Sequence, residues 1–380
     1  MGGSGGIKKG NNMSINIQAI PFAELVERTN QFARVGENAL YKVREAIQHV
    51  YVQELPSKFD WDFLVASSSF QTVEKVDAGT VSATTGGTAV TGSSTAFADS
   101  MVGRKIKFSS NEAVYTVNSV TSATSLGLLE SLLGEDNLSS DSYVIYEPKY
   151  TLASDFDRFP SDGGVYKWQG GKKVVLPEIH YQEYNQNFQP TPQENQSNVR
   201  LAGTNTLGTQ MVELVQAPSK AKNYGYDYVR QLKPLTMSTA GTIVISSAGT
   251  TVSGTSTKFT EVTTGSYLRI DGNGIGNDSK WYKISSITND TSLRLASTFD
   301  GSAVSGASYT VSSAPDMPSR LHSGCIWGAL RNLTVDQNDP NANFYNIKFA
   351  EVMSDGKRLY ITRVYSQEFH TIAEEYRYRY

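Results

Sequence analysis

The stretch of this chain best furnished for chemistry is Asp271-Gly-Asn-Gly-Ile-Gly-Asn-Asp278. Asp271, Asn273 and Asp278 place hard oxygens at short intervals, and the glycines between them permit the tight wrap that a calcium ion needs. An EF-hand loop would end on a bidentate Glu, but its fifth and twelfth positions fall here on Ile275 and Tyr282. The stretch therefore reads as a long hairpin turn. We expect no metal, with Asp271, Asn273 and Asp278 as the residues that would hold one. The histidines His49, His180, His322 and His370 show no metal-ligand spacing. Asp155 and Asp157 flank Phe156 as an acid pair, and a solvated turn is a plainer reading of them than acid–base catalysis. No Walker loop and no His-Glu-x-x-His pattern appears. No enzymatic activity and no cofactor are expected.

The other conspicuous group is Tyr376-Arg-Tyr-Arg-Tyr380. At strand spacing its tyrosines share one side and its arginines the other. Tyr and Arg dominate interface hot spots, so Tyr365, Phe369, Tyr376, Arg377, Tyr378, Arg379 and Tyr380 are expected to form a subunit or partner interface rather than a frayed end. The net charge of −3, from 34 basic and 37 acidic residues, advertises neither nucleic acid nor an anionic membrane. The single cysteine, Cys325, excludes an internal disulfide and suits a reducing compartment. No apolar run is long enough to span a bilayer, so no membrane partner is expected. Residues 1–14 read as a flexible leader.

Two helices must open the fold. Phe22, Leu25, Val26, Thr29 and Phe32 are in step after Pro21, and Leu40, Val43, Ile47, Val50 and Tyr51 follow on one face of a second helix that breaks at Pro56. The aromatic knot Phe59-Asp-Trp61-Asp-Phe63 comes next. A third helix starts near Pro318, where Gly324 and Gly328 would let a neighbour approach closely. A fourth runs from about Asn341 and is stopped by Gly356. Leu40, Ile47, Trp61, Phe63 and Trp327 are the expected packing centres. A short helix is expected from Pro177, loop from Gln186 to Asn205, and strands at 211–215 and 224–232.

Between these parts lies a repeat. Gly79-Thr-Val-Ser-Ala-Thr-Thr-Gly-Gly-Thr-Ala-Val-Thr-Gly-Ser-Ser-Thr-Ala-Phe97 aligns without a gap on Gly241-Thr-Ile-Val-Ile-Ser-Ser-Ala-Gly-Thr-Thr-Val-Ser-Gly-Thr-Ser-Thr-Lys-Phe259. Lys105-Ile-Lys107 then pairs with Tyr267-Leu-Arg269, and Tyr115-Thr-Val117 with Tyr282-Lys-Ile284. Residues 78–146 and 238–313 are thus one all-β module used twice, a small sandwich or barrel by its short alternating runs, each copy with its own core.

With the modules removed, the remaining pieces read on sensibly. The helical pair ends in Phe59-Asp-Trp61-Asp-Phe63-Leu64, Phe70-Gln-Thr-Val73 follows, and then come Tyr150, Leu152, Asp155 and Phe156. The Tyr224, Tyr226, Tyr228 alternation leads on to the helix from Pro318 to Leu333. This order resembles the head-to-tail adaptors of tailed bacteriophages, the tail-tubular-protein-A and SU10-type group. The modules resemble immunoglobulin-like insertions in phage structural proteins.

The resemblance implies an α+β multidomain chain. Its four-helix adaptor core is discontinuous (15–77, 147–237 and 314–357) and has a small β-region. Two inserted immunoglobulin-like sandwiches and a C-terminal arm, 358–380, complete it. It also implies a virion structural protein at the head–tail junction, made in the host bacterial cytoplasm. About twelve copies would form a ring bound to the portal and to a tail or nozzle protein. The genome would pass through the lumen without specific binding. The modules would face tail fibres or capsid. The alternative is a tail-fibre or adhesin component whose modules bind host glycan, and Trp281 is the one tryptophan in the modules that would serve it.

Overall fold

The computed structural model describes residues 19–134, 136–183, 189–263, 265–271, 280–334 and 340–361. The chain divides into two compact units, residues 65–231 and the remainder. Among the described residues strand accounts for 37% and helix for 25%, with five α-helices. This corrects the expected four-helix core with a small β-region: β-structure dominates. One source of the shortfall is the polar stretch expected to be loop, where Gln189–Gln193 and Val199–Thr204 form strands. The helix expected from Pro177 begins later: Glu178 bridges Val199 in parallel, and helix starts only at residues 181–183.

The modules are closed barrels, not immunoglobulin-like sandwiches. In the second, strands 242–245, 251–255, 292–295, 282–289, 267–271 and 304–312 pair in that order. The last strand pairs with the first, at Ile243↔Ala307, and closes the ring. The first module pairs in the same order, with its closing strand broken at Ser142 into 138–141 and 143–146. Inward–outward alternation is common to sandwiches and barrels, so the pattern alone does not separate them. The sheet curls through a long strand in each copy, 114–122 or 282–289. Bulges at Val117/Ser119 and Ile284/Ser286 bend it so that it serves both sides.

The residues shared by the copies have steric reasons. Gly79 and Gly241 adopt φ of +87° and +83°, and a Cβ on either would lie 2.3 Å from a backbone oxygen, of Ser93 or Thr255. The hydroxyls of Tyr143 and Tyr309 donate to Ala78 O and Ala240 O at 2.7 and 2.6 Å.

In the unit of residues 65–231, strand 65–71 pairs antiparallel with 223–230, which also carries 156–158 and the hairpin 165–175. Tyr224, Tyr226 and Tyr228 all point inward from the central strand. Phe70 stacks between Tyr150 and Tyr224 at 5.0 and 5.7 Å.

In the other unit the helices form a layer: α1 (Phe22–Ala33), α2 (Leu40–His49), α3 (Leu55–Lys58), α4 (His322–Thr334) and α5 (Ala342–Tyr360). The second helix does not break at Pro56. A π-turn, Val50–Glu54, comes first, in which Leu55 N–H bonds Val50 O, and the widened turn carries the helical path through the proline to Lys58. Helix α4 touches α1, α2 and α5. Its glycines allow this: a Cβ on Gly328 would lie 2.7 Å from Val50 and 3.0 Å from Phe349, and one on Gly324 3.0 Å from Met353. Gly356 does not stop α5, which runs to Tyr360. A Cβ there would sit 2.6 Å from Leu321 and 3.1 Å from the Trp61 ring, so this glycine serves close packing inside the helix.

The second barrel is built onto this layer. The free N–H groups of the first turn of α1 are taken up by it: Phe22 N–H donates to Ser313 O at 2.7 Å and Ala23 N–H to Ser312 Oγ at 2.9 Å. Arg269 forks onto Glu27 and lies 4.7 Å over Trp281, which packs with Tyr267 against Ala23.

Candidate assembly surface

The residues expected to pack the helices are placed as follows. Ile47 and Trp61 are fully buried, and the Trp61 indole N–H donates to Leu55 O at 2.8 Å. Leu40, Phe63 and Trp327 are half-buried. Trp327 is the centre of an aromatic run that crosses three helices. Phe32, in the last turn of α1, lies 5.5 Å from it, and Phe344 and Tyr345, in the first turn of α5, lie 6.1 and 6.3 Å away. Tyr345 is buried, but Phe32 is 50% exposed, and Phe344 and Ile347 are each 49% exposed. Lys348 Nζ stands 5.8 Å over the Phe344 ring.

Helix propensity explains neither Phe344 nor Ile347 at a solvent-facing position. The buried stripe of α5 is Tyr345, Phe349, Met353 and Gly356, at spacings of four, four and three. Phe344 and Ile347 lie off that stripe and make a second apolar face. Phe32, in step by sequence with the buried residues of α1, is half exposed instead, and on α5 the spacing of two stripes is the signal that separates Phe344 and Ile347 from the core. A run of half-exposed aromatics over a rigid support is hot-spot chemistry for protein contact.

Two polar groups pin the layer beneath this face. Glu54 and Arg331 pair where both are largely buried, and the Arg331 guanidinium lies 4.6 Å over Phe349. His322 is wholly buried. Its Nδ1 accepts from Ile20 N–H at 2.9 Å, and its Nε2–H donates to Met317 O at 3.1 Å. Burial holds this imidazole below its ordinary value, and it is neutral at pH 7. A cleft of about 400 Å³ lies between the start of α4 and the end of α5, lined by Ile20, Arg320, Asp355, Arg358 and Tyr360 among others.

The remaining candidates do not form a chemical site. Asp271 is the last residue of its strand, while Asn273 and Asp278 lie outside the described residues. So do Tyr365, Phe369 and Tyr376 to Tyr380. Asp155 accepts from the Tyr228 hydroxyl at 2.8 Å and Asp157 pairs with Arg158 at 2.7 Å, so each acid has its own partner. His49 and His180 are exposed. No group of three His, Cys, Asp or Glu among the described residues is placed to hold a metal ion. No protein-family model matches the chain, and no curated protein matches it.

Proposed function

We propose that this chain is a structural virion protein, a head-to-tail adaptor that assembles into a ring, joins the portal to the tail and continues the DNA channel. The observation that carries the reading is the aromatic run Phe32–Trp327–Phe344 with Ile347, a half-exposed apolar face on a rigid helical layer. Such a face must find a partner. Repeated head to tail around an axis, it closes a ring without needing any chemistry from its residues. The order of sequence motifs that resembles phage adaptors supplies the rest. A near-neutral chain suits a channel through which DNA slides, because clustered Lys and Arg would retain it.

The glycan-binding alternative loses its platform in the barrels. Trp281 is 9% exposed, covered by Arg269 and packed on Ala23, with no face open to a sugar.

Native mass spectrometry of the protein alone and mixed with its portal tests the proposal. A monomer that forms a ring of about twelve copies on the portal is expected, as is loss of that ring in Phe344→Asp/Ile347→Asp. A stable trimer indifferent to the portal would overturn it.

A further inference from the structure

The two barrels form an internal comparison. They share one fold in one chain, so the fold does not demand the differences between their surfaces. Their backbones correspond hydrogen bond by hydrogen bond. Leu133 N–H donates to Tyr115 Oη at 3.0 Å as Asp300 N–H does to Tyr282 Oη at 3.1 Å. Leu129 N–H donates to Thr116 O as Ala296 N–H does to Lys283 O, at 2.9 and 2.7 Å.

On the second barrel the large residues Tyr267, Arg269 and Trp281 mark where α1 docks, and the first barrel has Lys105, Lys107 and Val114 in their places. Elsewhere the enlargement is reversed. Leu129 and Leu133, 62% and 66% exposed, stand where the second barrel carries Ala296 and Asp300. They do nothing for the first barrel's own core, which Leu132 seals from between them. By the rule the second barrel displays, such residues mark a docking face.

The charges beside the two leucines narrow the occupant. Thr116 N–H holds the Glu130 carboxylate at 2.8 Å, and the Glu112 side chain is fully exposed. Lys105 and Lys107 stand on the adjacent strand, Lys105 Nζ donating to Thr116 Oγ1 at 2.7 Å and Lys107 lying 3.6 Å from Glu112. An occupant that carries rings, cations and anions within a few residues would cover the leucines and match both signs of charge on this partly self-paired rim.

Glu374-Glu-Tyr-Arg-Tyr-Arg-Tyr380 has that composition in that compass. We infer that this face of the first barrel receives residues 374–380 of a second copy of the chain. The tyrosines lie on Leu129 and Leu133, Arg377 and Arg379 pair with Glu112 and Glu130, and Glu374 and Glu375 pair with Lys105 and Lys107. From Ile361 the extended chain reaches roughly 60 Å to Tyr380, enough to span to a neighbour. The docking is separate from the proposed ring contact at Phe344.

The test is photo-crosslinking in the full chain with p-benzoylphenylalanine at Tyr378, in an equal mixture of ¹⁴N- and ¹⁵N-labelled copies, read by peptide mass spectrometry. Cross-links to the peptide containing Leu129 and Leu133, in mixed-isotope pairs, are expected. Their yield should fall about tenfold in Leu129→Asp/Leu133→Asp and again in Arg377→Glu/Arg379→Glu, while Phe344→Asp leaves it unchanged. Because both leucines are exposed, the fold survives their replacement, which circular dichroism checks. No cross-link, cross-links to another face, pairs confined to one isotope, or a yield indifferent to the aspartates would each overturn the inference, and none of them bears on ring assembly through Phe344.

Discussion

Replacing Gly328 by alanine sets two opposed effects against each other. In an exposed helix the change stabilises by about 1 kcal/mol, because glycine loses more backbone freedom on folding. At this position the new methyl would meet Val50 Cγ1 at 2.7 Å, Val50 Cγ2 at 3.0 Å and Phe349 Cε2 at 3.0 Å. Val50 is fully buried and Phe349 nearly so, and a β-branched side chain in a helix has no second rotamer to retreat into. Overpacking of this kind costs about 1–3 kcal/mol, so the net expectation is destabilisation of the helical layer by about 1 kcal/mol.

The chain carries its own reporter. Cys325 is its single cysteine, lies one turn before Gly328 in α4, is fully buried, and has a thiol that burial pushes up to about 12. Labelling by an aromatic disulfide under native conditions therefore requires the layer to open, and its rate follows the opening equilibrium. A loss of about 1 kcal/mol raises that rate about fivefold. Labelling in denaturant checks that the unfolded thiol itself is unchanged. The double variant Gly328→Ala/Val50→Ala should open less readily than the single changes combined predict, because the new methyl enters the space the valine vacates. Slower labelling in Gly328→Ala, or strict additivity in the double variant, would refute the packing argument.

Three further outcomes follow from the geometry. Because burial holds His322 below its unfolded value of 6.5, the unfolded chain takes up this proton first. Its contribution is whole above that value and is lost as the pH falls from there toward the depressed native value. Urea midpoints of wild type and His322→Gln at pH 7.5 and 5.0 should show the smaller drop in the variant. Gly241→Ala should cost its barrel about 2–5 kcal/mol, from the left-handed backbone and the 2.3 Å approach to Thr255 O, and Gly79→Ala should do the same to the other barrel, both read by denaturant unfolding. A fragment of residues 76–146 should unfold cooperatively by circular dichroism, because the first barrel closes on itself around Val90, Ile106, Val117 and Ile145. A non-cooperative melt would mean that the barrel depends on its surroundings.

How much of this was legible varies with the range of the interaction. Gly324 and Gly328, four apart among small residues, announced a close helix approach, and Val50, Phe349 and Met353 supply it. The gapless match of the modules announced one fold used twice, and the paired hydrogen bonds of Tyr143 and Tyr309 show it. Gly356 and Pro56 misled because their local meaning, stop and break, was overridden. One glycine makes room for Trp61 inside a continuing helix, and a π-turn carries the chain past the proline. The strands at 189–193 and 199–204 were missed because Pro190, Pro192 and a polar composition suppress strand propensity. What makes them strands is pairing with 216–218 and 210–214, which no local window contains. The alternation left sandwich and barrel open for the same reason, since closure rests on one strand meeting two distant partners.

Duplication separates what the fold requires from what its surroundings require. Where the barrels agree, a backbone clash or a buried hydroxyl explains the agreement, as at Gly79 and Gly241 or Tyr143 and Tyr309. Where they differ at the surface, the second barrel already shows what a difference is for: Trp281 and Arg269 are spent on α1. Leu129 and Leu133, which stand in place of Ala296 and Asp300, are exposed and lie outside the barrel's core. A chain selected only for its own stability would have left an alanine and an aspartate there, as its second copy does. Retaining two exposed leucines costs solubility, and that cost is offset when another surface covers them.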